Sequence, residues 1–267
     1  MTASYIEALL EKVNSAKRIW DTEPVFCFTS DIDWASEAVL ERFFEVVNPL
    51  GLKPTLFVTN HSDRISESFD KGLVARGIHP NFLEGSSHGD NFRDVVETCI
   101  DFAPEAIGFR SHRLFDVTDI THMLKNDFGF KYVSNLGTIF KTGISPIVHE
   151  SGLLHYPIFF EDGTHLYNRL NLNVSKYEKY LAAPGIKIIS FHPINFVFNA
   201  PDFGYLRSIM DTISREEYQA MGPKTIEAKK NCSILGIGDT VLQIVDFVKS
   251  RGHRIMTLDE IYQESIE

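Results

Sequence analysis

Apolar residues recur at helical spacing from the start of the chain, with Ile6, Leu9, Leu10 and Val13 falling on one face of residues 4–18. That period predicts an amphipathic helix, with residues 1–20 docked on the main body. Beyond it, short apolar runs alternate with helical patterns. "PVFCFTS" (24–30) predicts a strand, "SEAVLERFFEVV" (36–47) a helix and "KPTLFVT" (53–59) the next strand, which together make a βαβ unit. The alternation continues with a short strand near 73–79, a helix at 92–102, a strand at 106–110, a helix near 118–127 and a strand in "KYVS". Further strands are expected at 153–160 and 186–192, separated by a helix in "VSKYEKYLAAPG" that Gly185 would end. "DTVLQIVDFVKSRG" predicts a long helix, "HRIMTL" an eighth strand and "LDEIYQES" a closing helix.

No fixed-period repeat, low-complexity tract or Pro/Gly/Ser linker divides residues 21–267, which read as one domain. About seven or eight strands alternating with helices predict an α/β fold, an irregular parallel (β/α) barrel. No G-x-G-x-x-G follows a strand to favour a doubly wound sheet.

Composition narrows the function classes. The 267 residues are 43% hydrophobic and 23% charged, enough to bury a sizeable core. With 26 Lys and Arg against 36 Asp and Glu, the formal charge is −10, so nucleic acid and anionic membrane are not expected partners. Cys27, Cys99 and Cys232 are odd in number, far apart and in no C-x-x-C arrangement, and read as reduced thiols. No basic region precedes an apolar stretch at the N-terminus, and no membrane-length apolar run follows, so a cytoplasmic protein without a membrane span is expected.

In a (β/α) barrel the site lies where the strands end at their C-terminal side, and those ends are polar here. Strand one ends in Asp31 and Asp33, strand two in Asn60 and His61, strand three in His79, strand four in Arg110 and His112; later strands end in Glu161, Asp162 and His192. Asp31 and Asp33 sit two apart, so on an extended segment both point to one face. Two such carboxylates repel unless a cation lies beside them or one is protonated. The bland alternative is a solvated turn in which Asp33 caps the helix starting near 36.

His79, in "GIHPNF", is held on stiff backbone by Pro80, and His88 lies in the small-residue loop "GSSHG" that can fold back toward it. Asp33, His79 and His88 are therefore the expected metal ligands, one carboxylate and two imidazoles with a position left open. Asn81, His112 or a water is the alternative third donor. Arg110 is expected to pair with Asp31. His192 in "ISFHP" fits either a further metal imidazole or a general acid. His112, Glu161 and Asp162 are expected to support the site or contact substrate, while His61, His122, His149, His155, His165 and His253 read as surface or packing residues.

In this arrangement the sequence resembles the polysaccharide deacetylase family (carbohydrate esterase family 4), metal-dependent hydrolases of N-acetyl groups on sugars built on an irregular (β/α) barrel. "FTSDIDW" resembles the family's Asp-Asp motif, "GIHPNFLEGSSHG" its metal-histidine motif, "GFRSHR" its arginine motif, "ISFHP" its late histidine motif and "MTLDEIY" its usual ending, over residues 24–262. Two departures mark a divergent branch: Ile32 splits the aspartates, and eight residues separate His79 from His88. The resemblance implies Asp31 as general base, Asp33, His79 and His88 as metal ligands, Arg110 as orienter of Asp31, and His192 as general acid. It implies Zn²⁺ first, with Fe²⁺, Co²⁺, Mn²⁺ or Ni²⁺ as alternatives. The expected substrate is an N-acetyl or N-formyl amino sugar, nucleotide-linked, lipid-linked or within an oligosaccharide, used for surface polysaccharide. The rival readings are a non-haem iron oxygenase with two His and one carboxylate, and a carbohydrate-binding protein that has lost turnover.

Overall fold

Ten strands join in one sheet in a computed structural model of the protein, which describes residues 3–267. In chain order they are β1 (Pro24–Asp31), β2 (Thr55–Val58), β3 (Ala75–Ile78), β4 (Gly108–Phe109), β5 (Tyr132–Val133), β6 (Ile147–Val148), β7 (Leu154–His155), β8 (Ile158–Glu161), β9 (Gly185–Ser190) and β10 (Arg254–Ile255). Across the sheet the order is β6-β7-β5-β4-β3-β2-β1-β9-β8, with β10 set against Val25 and Phe26 of β1. The pairings are parallel apart from β6 with β7.

The sheet curls until its sides meet. Gly137, just past β5, bridges Ile158 of β8; the Ile158 N–H donates to Leu136 O at 2.8 Å and the Thr138 N–H to Ile158 O at 2.9 Å. The result is the expected irregular (β/α) barrel in a single domain. β1 and β9 are buried at every residue, so neither shows the apolar–polar alternation of a half-exposed strand, and even Lys187 of β9 is buried. The helix Glu37–Val47 adds Val39, Leu40, Phe43, Phe44 and Val47 to the core, the Phe43 ring lying 5.6 Å from that of Phe191 just past β9. Ser36 caps that helix by accepting from the Val39 N–H, so Asp33 is free of capping duty.

Several stretches differ from the expectation, among them β6 and the helices Asp63–Asp70 and Asp162–Tyr167, which the pattern did not predict. The predicted strand 153–160 is two, because Pro157 has no N–H to donate and breaks the run: β7 pairs with β5, and β8 with β9. The predicted helix in 174–185 shrinks to a 3₁₀ turn (Val174–Lys176) and one short helical turn (Glu178–Leu181). Gly185 does not end it but opens β9 at φ 117°, where an added Cβ would lie 2.7 Å from the Ile144 nitrogen. Between β9 and the helix Ile237–Ser250 lie four short helices the pattern did not predict, Pro193–Phe198, Phe203–Met210, Arg215–Gln219 and Pro223–Lys229. The helix Ala3–Ser15 lies against the closing helix Leu258–Ile266 and against β6. No helix among the described residues is long and apolar enough to cross a membrane.

Candidate active site

The ends of β1, β3, β4, β8 and β9 open on a cleft of about 280 Å³, lined among others by Asp31, Asp33, His79, His112, Glu161 and His192. Asp33 reaches it by an unusual route. The β1–β2 ladder runs one residue past β1, with the Ile32 N–H donating to Phe57 O at 3.1 Å, and the Ala35 N–H then donates to Ile32 O at 3.0 Å to close a tight turn. Both central residues are left-handed, Asp33 at φ 47° and Trp34 at φ 57°, a region costly for any side chain and rare for one as large as indole. The turn is pinned by Trp34 N–H donating to Thr59 Oγ1 at 2.9 Å. Asp33 is thus not on an extended segment with Asp31, as the spacing suggested; a reversal of the chain turns it into the same cleft.

Two imidazoles converge on one oxygen of that carboxylate. His79 Nε2 lies 3.2 Å from Asp33 Oδ1, and His112 Nδ1 lies 2.9 Å from the same atom. Both rings are placed by backbone: the His79 N–H extends the β2–β3 ladder to Val58 O at 2.9 Å, and the His112 N–H donates to Pro80 O at 2.9 Å. The three donor atoms lie within 4.8 Å of one another. Donors at about 2.0–2.2 Å from a tetrahedral ion stand roughly 3.3–3.5 Å apart, so the set fits a divalent cation with only small adjustment. Burial alone would raise the Asp33 carboxyl, but hydrogen bonds from His112 and His79 and the charge of His192 hold it well below the usual carboxylate range.

His88, expected as a ligand, is placed elsewhere. Its Nε2 lies 2.8 Å from Thr59 O, while its Nδ1 accepts from the Asn81 N–H at 3.1 Å and lies 3.2 Å from Cys99 Sγ. Both nitrogens are therefore used in tying the loop after β2 to the loop after β3, and burial pushes the imidazole pKa down, favouring the neutral ring this requires. The Trp34 ring stands 5.3 Å from the rings of both His88 and His112. Asn81 is likewise committed to its own loop, its Oδ1 accepting from the Leu83 N–H at 3.1 Å. His112 takes the third position of the cluster.

Arg110 pairs with Asp31 as expected. It is fully buried, and Nη1 donates to Asp31 Oδ1 at 2.7 Å, Thr29 Oγ1 at 3.0 Å and Ser190 Oγ at 2.8 Å; Nε and Nη2 go to Ser134 O and Oγ at 3.0 and 2.9 Å. The guanidinium also lies over the Phe57 ring, 4.3 Å from its centroid. Burial works to raise the Asp31 carboxyl, but Arg110 and the nearby histidines bring it below its ordinary value.

His192 follows β9 and is gripped at two points by Asp162: Oδ2 accepts the His192 N–H at 2.8 Å, and Oδ1 lies 2.7 Å from Nδ1. That leaves Nε2 facing the cleft, 3.5 Å from Asp33 Oδ2. Burial opposes a charged imidazole, yet Asp162, Asp33 and Glu161 raise the His192 pKa well above the usual range. Glu161, Asp162 and His192 also lie close enough to hold an ion. Their carboxylates are spent on other partners, however: Glu161 accepts from the Gly163 and Thr164 N–H groups, and Asp162 from Gly163 and His192.

A family profile described as WbmS-like polysaccharide deacetylase matches residues 28–208. The chain belongs to that family. The matched span holds Asp31, Asp33, His79, Arg110, His112, Glu161, Asp162 and His192. Membership supports a deacetylase role on carbohydrate. Among solved structures, a candidate polysaccharide deacetylase involved in O-antigen biosynthesis from Bordetella bronchiseptica is similar at 24% identity and a TM-score of 0.71, covering 84% of this chain and 90% of that one. That likeness shows the shared fold. Comparison with curated proteins gives no match. Within this deacetylase-family chain, pattern reasoning missed the loop crossing that sets His112 on Pro80, and the cleft residues Arg113, Leu114, Ile158 and Thr164. The available signal was the imidazole in "GFRSHR", two residues after Arg110.

Proposed function

We propose that the protein is a divalent-metal-dependent hydrolase that removes an N-acetyl or N-formyl group from an amino sugar. The observation that carries this reading is the convergence of Asp33, His79 and His112 at 2.9 and 3.2 Å, in the cleft that Asp31 and His192 also face. Asp33 Oδ1, His79 Nε2 and His112 Nδ1 would hold the ion, with Zn²⁺ the first expectation for two imidazoles and a carboxylate. When bound, such an ion supplies Lewis acidity toward the acyl carbonyl and makes a water more acidic.

The remaining work falls to the protein's own groups. Asp31 Oδ1 is fixed by Arg110, which leaves Oδ2 to accept the proton of the attacking water. His192, held by Asp162 at Nδ1, presents Nε2 to the cleft and delivers a proton there to the amine nitrogen as the C–N bond breaks. Acetate, or formate, and a free amino sugar result. Leu114 and Ile158 give the cleft an apolar wall against which a sugar face can rest.

The involvement of the solved Bordetella relative in O-antigen biosynthesis suggests a substrate used for surface polysaccharide. We assign this chain a nucleotide-linked or lipid-linked precursor, handled in the cytoplasm. The parallel (β/α) barrel is at odds with the β-rich scaffold expected of the iron-oxygenase alternative. The test is metal content by mass spectrometry, followed by acetate release from UDP-N-acetylglucosamine and free N-acetyl sugars with and without chelator. About one equivalent of divalent metal with chelator-sensitive acetate release is expected. Acetate release that survives complete metal removal, or metal-loaded protein that binds these sugars and releases none, overturns the proposal.

A further inference from the structure

The cleft holds one basic side chain that the proposed chemistry does not use, Arg113. Its backbone is left-handed, at φ 57° and ψ 24°, and Leu114 follows at φ 54°. Two non-glycine residues in succession in that region are costly, and such strain persists where the surroundings over-determine it, often where a side chain must be presented to a ligand. Arg113 is exposed to the cleft. The carboxylates that line the cleft are engaged elsewhere, Asp31 with Arg110, Asp33 with His79 and His112, and Glu161 with the N–H groups of Gly163 and Thr164, as is Asp162 behind them with His192. Two other arginines near the site are already occupied. Arg110 is buried in its network, and Arg215 lies over the Trp34 ring and donates to Ser87 Oγ at 2.7 Å.

We propose that Arg113 forms an anion subsite of the cleft that reads a carboxylate or phosphate carried by the N-acyl sugar. The inference rests on the reading that the cleft binds such a sugar. A guanidinium always carries its charge and presents paired N–H donors that match a carboxylate or phosphate edge. With a formal charge of −10, the protein as a whole repels an anionic substrate, and a fixed cation at the mouth offsets that repulsion locally. Arg113 directly follows His112, which puts it beside the acyl-bearing ring and not at a distant secondary site.

Three ligands on one skeleton test this by isothermal titration calorimetry: neutral N-acetylglucosamine, 2-acetamido-2-deoxyglucuronic acid, and N-acetylglucosamine 1-phosphate. Each is titrated into metal-loaded and chelated protein, since an anion bound through the ion itself would lose its advantage on chelation. Wild type is expected to bind one of the two anionic sugars at least about tenfold tighter than the neutral one in both forms, with the margin shrinking as salt is raised. Which anion shows the margin identifies the group that is read. Arg113→Gln should abolish the margin and Arg113→Lys keep part of it. Equal binding of all three sugars by wild type, a margin present only with metal, or a margin that survives Arg113→Gln overturns the subsite. A margin that behaves as expected while none of the three sugars releases acetate leaves the subsite standing and counts against the deacetylase reading instead.

Discussion

Replacing Arg110 with Met tests how far the barrel interior depends on a single charge. Arg110→Met keeps much of the side chain's length but removes five hydrogen bonds, the 2.7 Å contact to Asp31 among them, all between buried groups. Breaking a buried ion pair from one side costs about 3–5 kcal/mol, because the other charge is left uncompensated. Ser134 Oγ limits the damage, since it still donates to Tyr156 O at 2.9 Å. Against a total stability of roughly 5–15 kcal/mol, the loss brings the protein near its folding threshold. Removing the second charge as well, in Arg110→Met/Asp31→Leu, should recover about 2 kcal/mol or more, since apolar replacements of buried pairs are often close to neutral. Guanidinium denaturation followed by circular dichroism at 25 °C, on wild type, both single variants and the double, gives the coupling energy directly. Turnover should stay absent in the double variant even as stability returns. Arg110→Met within 1 kcal/mol of wild type, or single effects that simply add, would refute the assignment of Arg110 as the hub that compensates Asp31.

Other expectations follow from the same geometry. His112→Ala should lose bound metal as measured by mass spectrometry, whereas His88→Ala should keep it while losing about 1–3 kcal/mol of stability, the cost of orphaning Asn81 N–H and Thr59 O; the opposite pattern would restore His88 as a ligand. Asp162→Asn should leave metal content unchanged and lower kcat about 10²–10⁴-fold, read from acetate release, because His192 loses the carboxylate that fixes and charges it. Lys187 is fully buried without a carboxylate, and burial lowers its pKa from 10.5 to about 8 despite the Pro184 carbonyl and the Phe159 ring nearby. The unfolded chain therefore holds a proton there that the folded one gives up, so wild-type stability should rise between about pH 8 and 10.5, a window that Lys187→Met should flatten while raising stability at neutral pH.

The barrel was legible because strands buried on both faces are mostly apolar without alternating, as in Val25–Phe28 of β1 and in β9 on either side of Lys187. Asp31, Arg110 and His192 were legible for a related reason: each sits at or just beyond a strand end, where the fold fixes the direction in which a polar group must point. His88 misled because loop length in sequence is no guide to where a loop returns. The loop from 80 to 88 does fold back, but it brings the imidazole to Thr59 O and the Asn81 N–H instead of to the cleft. The exchange of His88 for His112 depended on contacts between loops more than 20 residues apart, Thr59 with His88 and Pro80 with His112, which no local period encodes. The four short helices between β9 and Ile237–Ser250 were missed because each is at most eight residues long, too short to show a helical period.

The reversal at Asp33 and Trp34 has a bearing on how the protein can change. Each left-handed residue there costs of order 1–3 kcal/mol, already met when the chain folds and independent of any ion. An arriving cation would find its carboxylate in position and would spend none of its affinity on bending the chain. Selection for a sturdier protein alone would favour glycine at both positions, so acid and indole here mark a spot where durability is traded for readiness.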